Sequence, residues 1–190
     1  MSVIHTTGRL SARMAARPVA AQFGLALALV ALTAIAAQMR IPLPFTPVPI
    51  TLQVLVVLAA GYLLKPVAAA GTMALYLTLG AAGAPLFSSG GAGLGVLTGF
   101  TGGYLLACPL AAWTVSVLAR QDSGTLRRLT AGVAGLLVIH LAGGSWLAIA
   151  TGASMADTGL VLTQSLMPFM AVDLAKLAVA EWLTRGHSGR

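Results

Sequence analysis

The sequence predicts an all-α membrane protein with six transmembrane helices, and two observations carry this prediction. Of the 190 residues, 58% are hydrophobic and only 8% are charged, whereas soluble domains carry roughly 25% charged residues. Apolar runs of about 20 residues, the length needed to cross a bilayer, recur along the chain. The composition therefore fits one membrane-embedded domain and excludes an ordinary soluble domain, a disordered chain and a coiled coil.

Glycine and proline divide the apolar runs into six predicted spans. The second and third are short for a hydrocarbon core of about 30 Å, so we expect flanking residues or a thinned bilayer there. The spans form one predicted domain, 20–184, between cytoplasmic tails 1–19 and 185–190. They cover residues 20–38, 50–64, 67–82, 95–118, 129–150 and 168–184.

The cations predict the orientation of these spans. Only Arg40 falls on one side, and the positive-inside rule places the other side, with both termini, in the cytoplasm. The net charge of +7 therefore reports membrane topology, because a nucleic-acid binder gathers its cations on one wet face. We expect a multi-pass protein of the bacterial cytoplasmic membrane. The cytoplasmic cations are Arg9, Arg13, Arg17, Lys65, Arg120, Arg127, Arg128, Arg185 and Arg190.

Two connections on the external side are irregular. The segment RIPLPFTPVPITLQ holds four prolines within eight residues, which predicts an extended, polyproline-like loop. The segment GAPLFSSGGAGLG, Gly83 to Gly95, is too rich in glycine for a stable helix and too apolar for an aqueous loop. Irregular backbone at membrane depth is tolerated where it is buried in protein or lines a cavity. The two segments together predict a pocket that opens outward.

Asp173 and Lys176 are the strongest candidates for a functional site. They lie three residues apart in the last span, on one helix face, and each ion costs roughly 2.5 to 3.5 kcal/mol near the bilayer centre. A ligand anchor, a structural ion pair and an ion or proton relay all account for them. Pro168 suits the first turn of this helix, which predicts that Asp173 lies within about two turns of the outer face.

Other residues are weaker candidates, each with a structural alternative. Thr51 and Gln53 follow the proline segment and either aim at a pocket or cap a helix. Tyr104 either walls an apolar cavity or anchors the membrane interface. Glycines with a spacing of four predict tight helix packing, and exposure of their backbone to a ligand is the alternative. These glycines are Gly91, Gly95, Gly99 and Gly103.

The sequence argues against an enzyme. His140 and Ser145 lie five residues apart, which puts their side chains on different helix faces and disfavours a catalytic pair. There is no phosphate-binding GxxxxGK[ST] motif and no metal-binding HExxH motif, and Cys108 is the only cysteine. We therefore expect no bound metal, no cofactor and no ATP hydrolysis by this chain.

A stripe of small residues at a spacing of four runs along the first span, at Ala20, Gly24 and Ala28. Such a stripe lets helices approach closely. It predicts either packing within the bundle or a docking face for another membrane protein.

Three motifs in order resemble the BioY family of biotin-uptake proteins: PLPFTPVPITLQ, GAPLFSSGGAGLGVLTGFTGGYLLA and DLAK. The resemblance covers roughly residues 20–184. It implies an S component of an energy-coupling factor transporter, which binds the vitamin while a T component and two ATPases supply energy. It also implies docking through the Ala20, Gly24 and Ala28 stripe.

When the family's binding residues are transferred to the matching positions of this sequence, the resemblance implies that side chains from the three motif regions bind biotin. Lys176 and Arg40 are the two candidates for meeting the biotin carboxylate. We therefore predict a biotin-binding membrane subunit, with an S component for riboflavin or thiamine, or a stand-alone secondary transporter, as alternatives; a homo-oligomer is left open. The predicted ligand-binding residues are Asp173, Lys176, Gln53, Thr51, Tyr104, Arg40 and Gly91.

Overall fold

A computed structural model describes residues 19–119, 124–153 and 155–185. Residues 1–18 of the predicted N-terminal tail and the cations Arg120 and Arg190 lie outside these ranges, as do Arg9, Arg13 and Arg17 within that tail. The described chain is mostly helical, with a β-hairpin after the first helix and a short 3-10 turn at Ser88–Gly90. In order, its elements are α1 (Val19–Gln38), β1 (Arg40–Leu43), β2 (Thr46–Thr51), α2 (Gln53–Leu63), α3 (Pro66–Ala81), α4 (Leu94–Thr98), α5 (Gly102–Leu118), α6 (Thr125–Ala150) and α7 (Met155–Arg185).

The helices present an apolar outer surface. In the described chain, Ala20–Gln38 and Thr125–Ala150 are long and apolar enough to cross a membrane, and α2, α3 and α5 are shorter apolar helices. Large apolar side chains such as Phe23 and Ile149 are more than half exposed, and a soluble monomer rarely carries so much exposed apolar surface. The fold is that of an all-α membrane protein, as predicted, while the count of six spans stays a prediction.

The proline segment forms a hairpin, which corrects the expectation of an unpaired loop. Strands β1 and β2 are antiparallel, with Arg40 opposite Thr51, and the register is irregular between Ile41 and Leu43. A two-stranded hairpin has two free edges, so prolines that cannot donate are tolerated in it. Helix α2 then begins at Gln53, three residues after the predicted start of the second span.

The fourth predicted span is broken. Helix α4 ends at Thr98 and α5 begins at Gly102, so the four spaced glycines do not share one helix face. Gly103 does allow a close helix contact, because a Cβ there would collide with Trp146 and lie 2.9 Å from the carbonyl oxygen of Ala142 on α6. Gly95 has open space around it. The predicted packing stripe is therefore reduced to one position.

Helix α7 is longer than predicted, and Pro168 lies inside it instead of in its first turn. Proline removes one helical hydrogen bond, but contacts with α2 and α6 support α7, and such packing lets a membrane helix retain a proline. Asp173 is about five turns from the helix start. The expectation that Pro168 lies in the first turn of this helix is therefore wrong, while the depth of Asp173 below the outer face stays a prediction.

Helix α2 lies at the centre of the bundle, packed against α1, α3, α5 and α7. Its buried face includes Val56, Val57 and Ala60. Its N-terminal end carries Gln53, which is buried. Its C-terminal end carries Tyr62. Each end of α2 lies beside a separate group of polar side chains.

The cluster at the C-terminal end of α2 is a buried ion-pair network. Arg128 Nε lies 3.3 Å from Glu181 Oε1, and its Nη2 donates to Thr184 at 2.6 Å. The guanidinium lies 4.5 Å from the centre of the Tyr62 ring, and the Tyr62 hydroxyl donates to the Arg128 carbonyl at 2.7 Å. Arg185 pairs with the second oxygen of Glu181 at 2.8 Å. The network joins α2, α6 and α7.

Candidate functional site

A cavity of about 220 Å³ lies at the N-terminal end of α2. The hairpin and the segment before α4 enclose it on one side, and α2, α5, α6 and α7 enclose it on the other. Its wall combines apolar surface with a few polar groups, as small-molecule sites do. It is lined by Arg40, Pro47, Val48, Pro49, Thr51, Gln53, Val54, Phe87, Ser88, Ser89, Val96, Thr101, Tyr104, Leu105, Cys108, Ile139, His140, Phe169, Asp173 and Lys176.

The structure brings six of the seven predicted ligand-binding residues to this cavity, although their binding role stays a prediction. They come from β1, β2, α2, α5 and α7: Arg40, Thr51, Gln53, Tyr104, Asp173 and Lys176. Gly91 does not line it, because the chain there turns back to pair with Phe87, and Ser88 and Ser89 face the cavity instead.

Asp173 and Lys176 form the polar anchor of the cavity. Lys176 Nζ lies 2.6 Å from Asp173 Oδ1, and Asp173 is 1% exposed and Lys176 5% exposed. A buried ion pair needs further hydrogen bonds to offset the loss of hydration. The pair is an internal ion pair and also part of the cavity wall, so this geometry fits both a structural ion pair and a ligand anchor.

His140 supplies one of those further bonds and was missed as a cavity residue. Its Nε2 lies 2.8 Å from Asp173 Oδ2, and its side chain is 2% exposed. The sequence pairs it only with Ser145, which is exposed on another face of α6. The sequence did contain a signal for His140, because a titratable residue inside an apolar span is energetically costly and is mostly functional.

Arg40 differs from Lys176 in its surroundings. It is exposed, in β1 at the hairpin side of the cavity. The ion pairs formed by the carboxylates of Asp173 and Glu181 do not include Arg40. The charge of Lys176 is balanced by Asp173, while that of Arg40 is not balanced by the described chain.

Aromatic rings shape the cavity around His140. The Tyr104 and His140 ring centres lie 6.2 Å apart, nearly perpendicular, and those of His140 and Phe169 lie 6.0 Å apart. Gly143 leaves room for Tyr104, because a Cβ there would collide with the tyrosine ring. Sequence spacing could not show this contact, which joins α5 to α6.

Gln38 at the end of α1 holds the segment before α4 in place. Its Oε1 accepts from the Gly90 backbone N–H at 2.9 Å, and its Nε2 donates to the Phe87 carbonyl at 3.0 Å. Phe87 is fully buried against Tyr76. The irregular segment is therefore ordered by specific contacts and lines a cavity, as the sequence predicted.

The remaining predictions concern metals and docking. Within residues 19–119, 124–153 and 155–185, no group of three or more His, Cys, Asp or Glu side chains could hold a metal ion. Ala20, Gly24 and Ala28 are all exposed on α1, and Gly24 has open space beside it. This contradicts packing of the stripe inside the bundle and leaves the docking alternative.

The fold and the cavity define a mostly helical membrane protein with a small, partly polar cavity enclosed by its helices, its hairpin and the segment before α4. The chain belongs to the BioY family, whose model matches residues 8–189. It is 38% identical to the probable biotin transporter BioY of Pyrococcus horikoshii over 80% of this chain and 86% of that protein. It is 36% identical to the biotin transporter BioY of Thermotoga maritima over 74% and 80%.

A solved structure shows the same fold. The crystal structure of the S component for biotin from an ECF-type ABC transporter matches with a TM-score of 0.84, covering 98% of this chain and 95% of that one at 20% sequence identity. These proteins are named as transporters or transporter components, and none of the three is named as an enzyme.

Proposed function

We propose that this chain is the biotin-binding S component of an energy-coupling factor transporter. The observation that carries the proposal is the cavity itself, which combines a charge-balanced anchor, Asp173 and Lys176, with a separate cation, Arg40. The relatives in the BioY family support biotin as the ligand. Biotin has matching chemistry: a polar ureido ring, an apolar thioether ring, and an acyl chain that ends in a carboxylate.

The charges favour one orientation of biotin in the cavity. Its carboxylate needs a cation, and Arg40 has no ion pair in the described chain whereas Lys176 is neutralised by Asp173. Arginine also matches a carboxylate through two parallel hydrogen bonds. The ureido ring then lies at the anchor, where the Lys176 ammonium donates to its carbonyl, with Gln53 and Thr51 beside it.

Energy and partners must come from other proteins. The sequence has no nucleotide-binding motif, so a T component and two ATPases are the proposed partners, with Ala20, Gly24 and Ala28 as the docking face. The protein crosses the cytoplasmic membrane several times with both termini inside. The cations of the described chain fit this, because Arg128 and Arg185 lie at the end of the bundle away from the cavity.

Titration of the purified protein with biotin, riboflavin and thiamine tests the ligand. We expect biotin alone to bind tightly, and binding of another vitamin in its place would refute the proposal.

Biotin methyl ester provides the matched probe for the orientation of the ligand. It should bind wild-type protein more weakly than biotin does, whereas Arg40→Gln should bind biotin and its methyl ester with the same, weakened affinity. Biotin uptake in cells that lack every energy-coupling ATPase separates this function from a stand-alone secondary transporter.

A further inference from the structure

The anchor of the cavity extends over two helices through His140. Asp173 Oδ1 accepts from Lys176, on the same helix. Asp173 Oδ2 lies 2.8 Å from His140 Nε2, on α6. Each carboxylate oxygen of Asp173 therefore has one close partner: Oδ1 is bound by a residue of α7, and Oδ2 by a residue of α6.

The hydrogen-bonding role of His140 Nε2 follows from its contact with Asp173. An ionised carboxylate only accepts hydrogen bonds, so Nε2 must carry the hydrogen and donate it to Asp173. His140 Nδ1 is buried and has no hydrogen-bond partner in the described structure.

We infer that His140 is a positioning residue for the ligand of this cavity. Its hydrogen bond fixes the carboxylate of Asp173, which in turn fixes the ammonium of Lys176, so that the remaining Lys176 donors stay directed for an acceptor such as a ureido carbonyl. Tyr104 and Phe169 hold the imidazole from two sides. A site ordered before binding loses less freedom when the ligand enters. The inference rests on the proposed function, because biotin is the ligand used to test it.

Two substitutions of His140 separate its hydrogen bond from its packing. His140→Phe keeps a ring and removes the donor, and it should weaken biotin binding about 10-fold to 100-fold, the loss expected for a buried acceptor left without its partner. His140→Gln carries an N–H at a similar distance from the backbone and lacks the Nδ1 atom. It should bind biotin at least about tenfold more tightly than His140→Phe, a difference of about 1.4 kcal/mol. Equal loss in both folded variants would overturn the inference.

A double-mutant cycle tests whether His140 acts through Lys176. In a Lys176→Gln background, His140→Phe should cause little further loss of biotin affinity, because the group that it positions is gone. The same fold-loss in both backgrounds would indicate a general packing effect and would overturn the inference. Thermal unfolding of each detergent-solubilised variant confirms that folded protein is being compared.

The wild-type titration keeps the two proposals distinguishable. Absence of biotin binding by wild-type protein would refute the proposed function. Tight wild-type binding with an unchanged affinity in His140→Phe would leave the proposed function intact and refute only the role of His140.

Discussion

The ring of Tyr104 on α5 packs directly against the backbone of Gly143 on α6. A Cβ at position 143 would collide with that ring, and Tyr104 lines the cavity. The width of the cavity beside Tyr104 therefore depends on the absence of a side chain at position 143 of the neighbouring helix α6. This contact gives the first prediction.

Gly143→Ala should weaken biotin binding about tenfold by displacing Tyr104 into the cavity, since overpacking typically costs about 1 to 3 kcal/mol. Equilibrium titration of the purified variant measures this. Gly71→Ala is the matched control, because Gly71 on α3 has no atom within 4 Å of its added Cβ. Loss of affinity in both variants would point to a general effect of alanine, and loss in neither would show that Tyr104 does not limit the site.

Lys176→Ala and Asp173→Ala should each weaken biotin binding about 30-fold or more, because truncating one member of a buried, hydrogen-bonded charge pair costs about 2 kcal/mol or more. Both proteins should remain folded in detergent. Wild-type affinity in both variants would remove these residues from the site. A double substitution that damages folding as much as binding would favour a purely structural ion pair.

Glu181→Ala should lower the free energy of unfolding by about 3 kcal/mol, because it leaves Arg128 buried without its carboxylate. Biotin affinity should be unchanged, since this cluster lies at the other end of α2. The combined change Arg128→Leu with Glu181→Leu should be less destabilising than Glu181→Ala, because no buried charge remains. Unfolding in detergent measures stability, and a strong loss of biotin affinity in folded Glu181→Ala would contradict the separation of the two clusters.

Gly24→Leu and Ala28→Leu should block biotin uptake in cells while the purified proteins still bind biotin, because bulk on a small-residue stripe prevents close approach of a partner helix. Ala178→Leu is the control, since Ala178 is also exposed but lies on α7. Uptake as in wild type would place the docking surface on another helix. Loss of binding together with uptake would contradict a purely external role.

Reporters fused after Lys65, after Gln121 and at Arg190 should read cytoplasmic, and one inserted between Pro42 and Pro49 should read external. The cation distribution along the sequence demands this arrangement. A reporter at Arg190 that reads external would imply an odd number of spans and would overturn the proposed topology.

Much of the site could be predicted because its residues break a local rule. Charged residues in an apolar span are costly, which singled out Asp173 and Lys176. Prolines and glycines too dense for helix marked the segments that enclose the cavity. His140 is also a titratable residue in an apolar span, but its partner Asp173 is 33 residues away in sequence. Residue spacing within α6 cannot predict a contact with another helix.

The sequence by itself determined the apolar composition, the class of fold, the extended proline segment and the chemical character of the anchor, since these depend on local residue types and on the cost of polar groups in lipid. Only the tertiary structure decided the hairpin pairing, the break between α4 and α5, and the helical turns before Pro168. It also decided that Gly143 makes room for Tyr104 and that His140 meets Asp173. Each of these depends on contacts between distant segments, whose packing outweighs the local preference of any one of them.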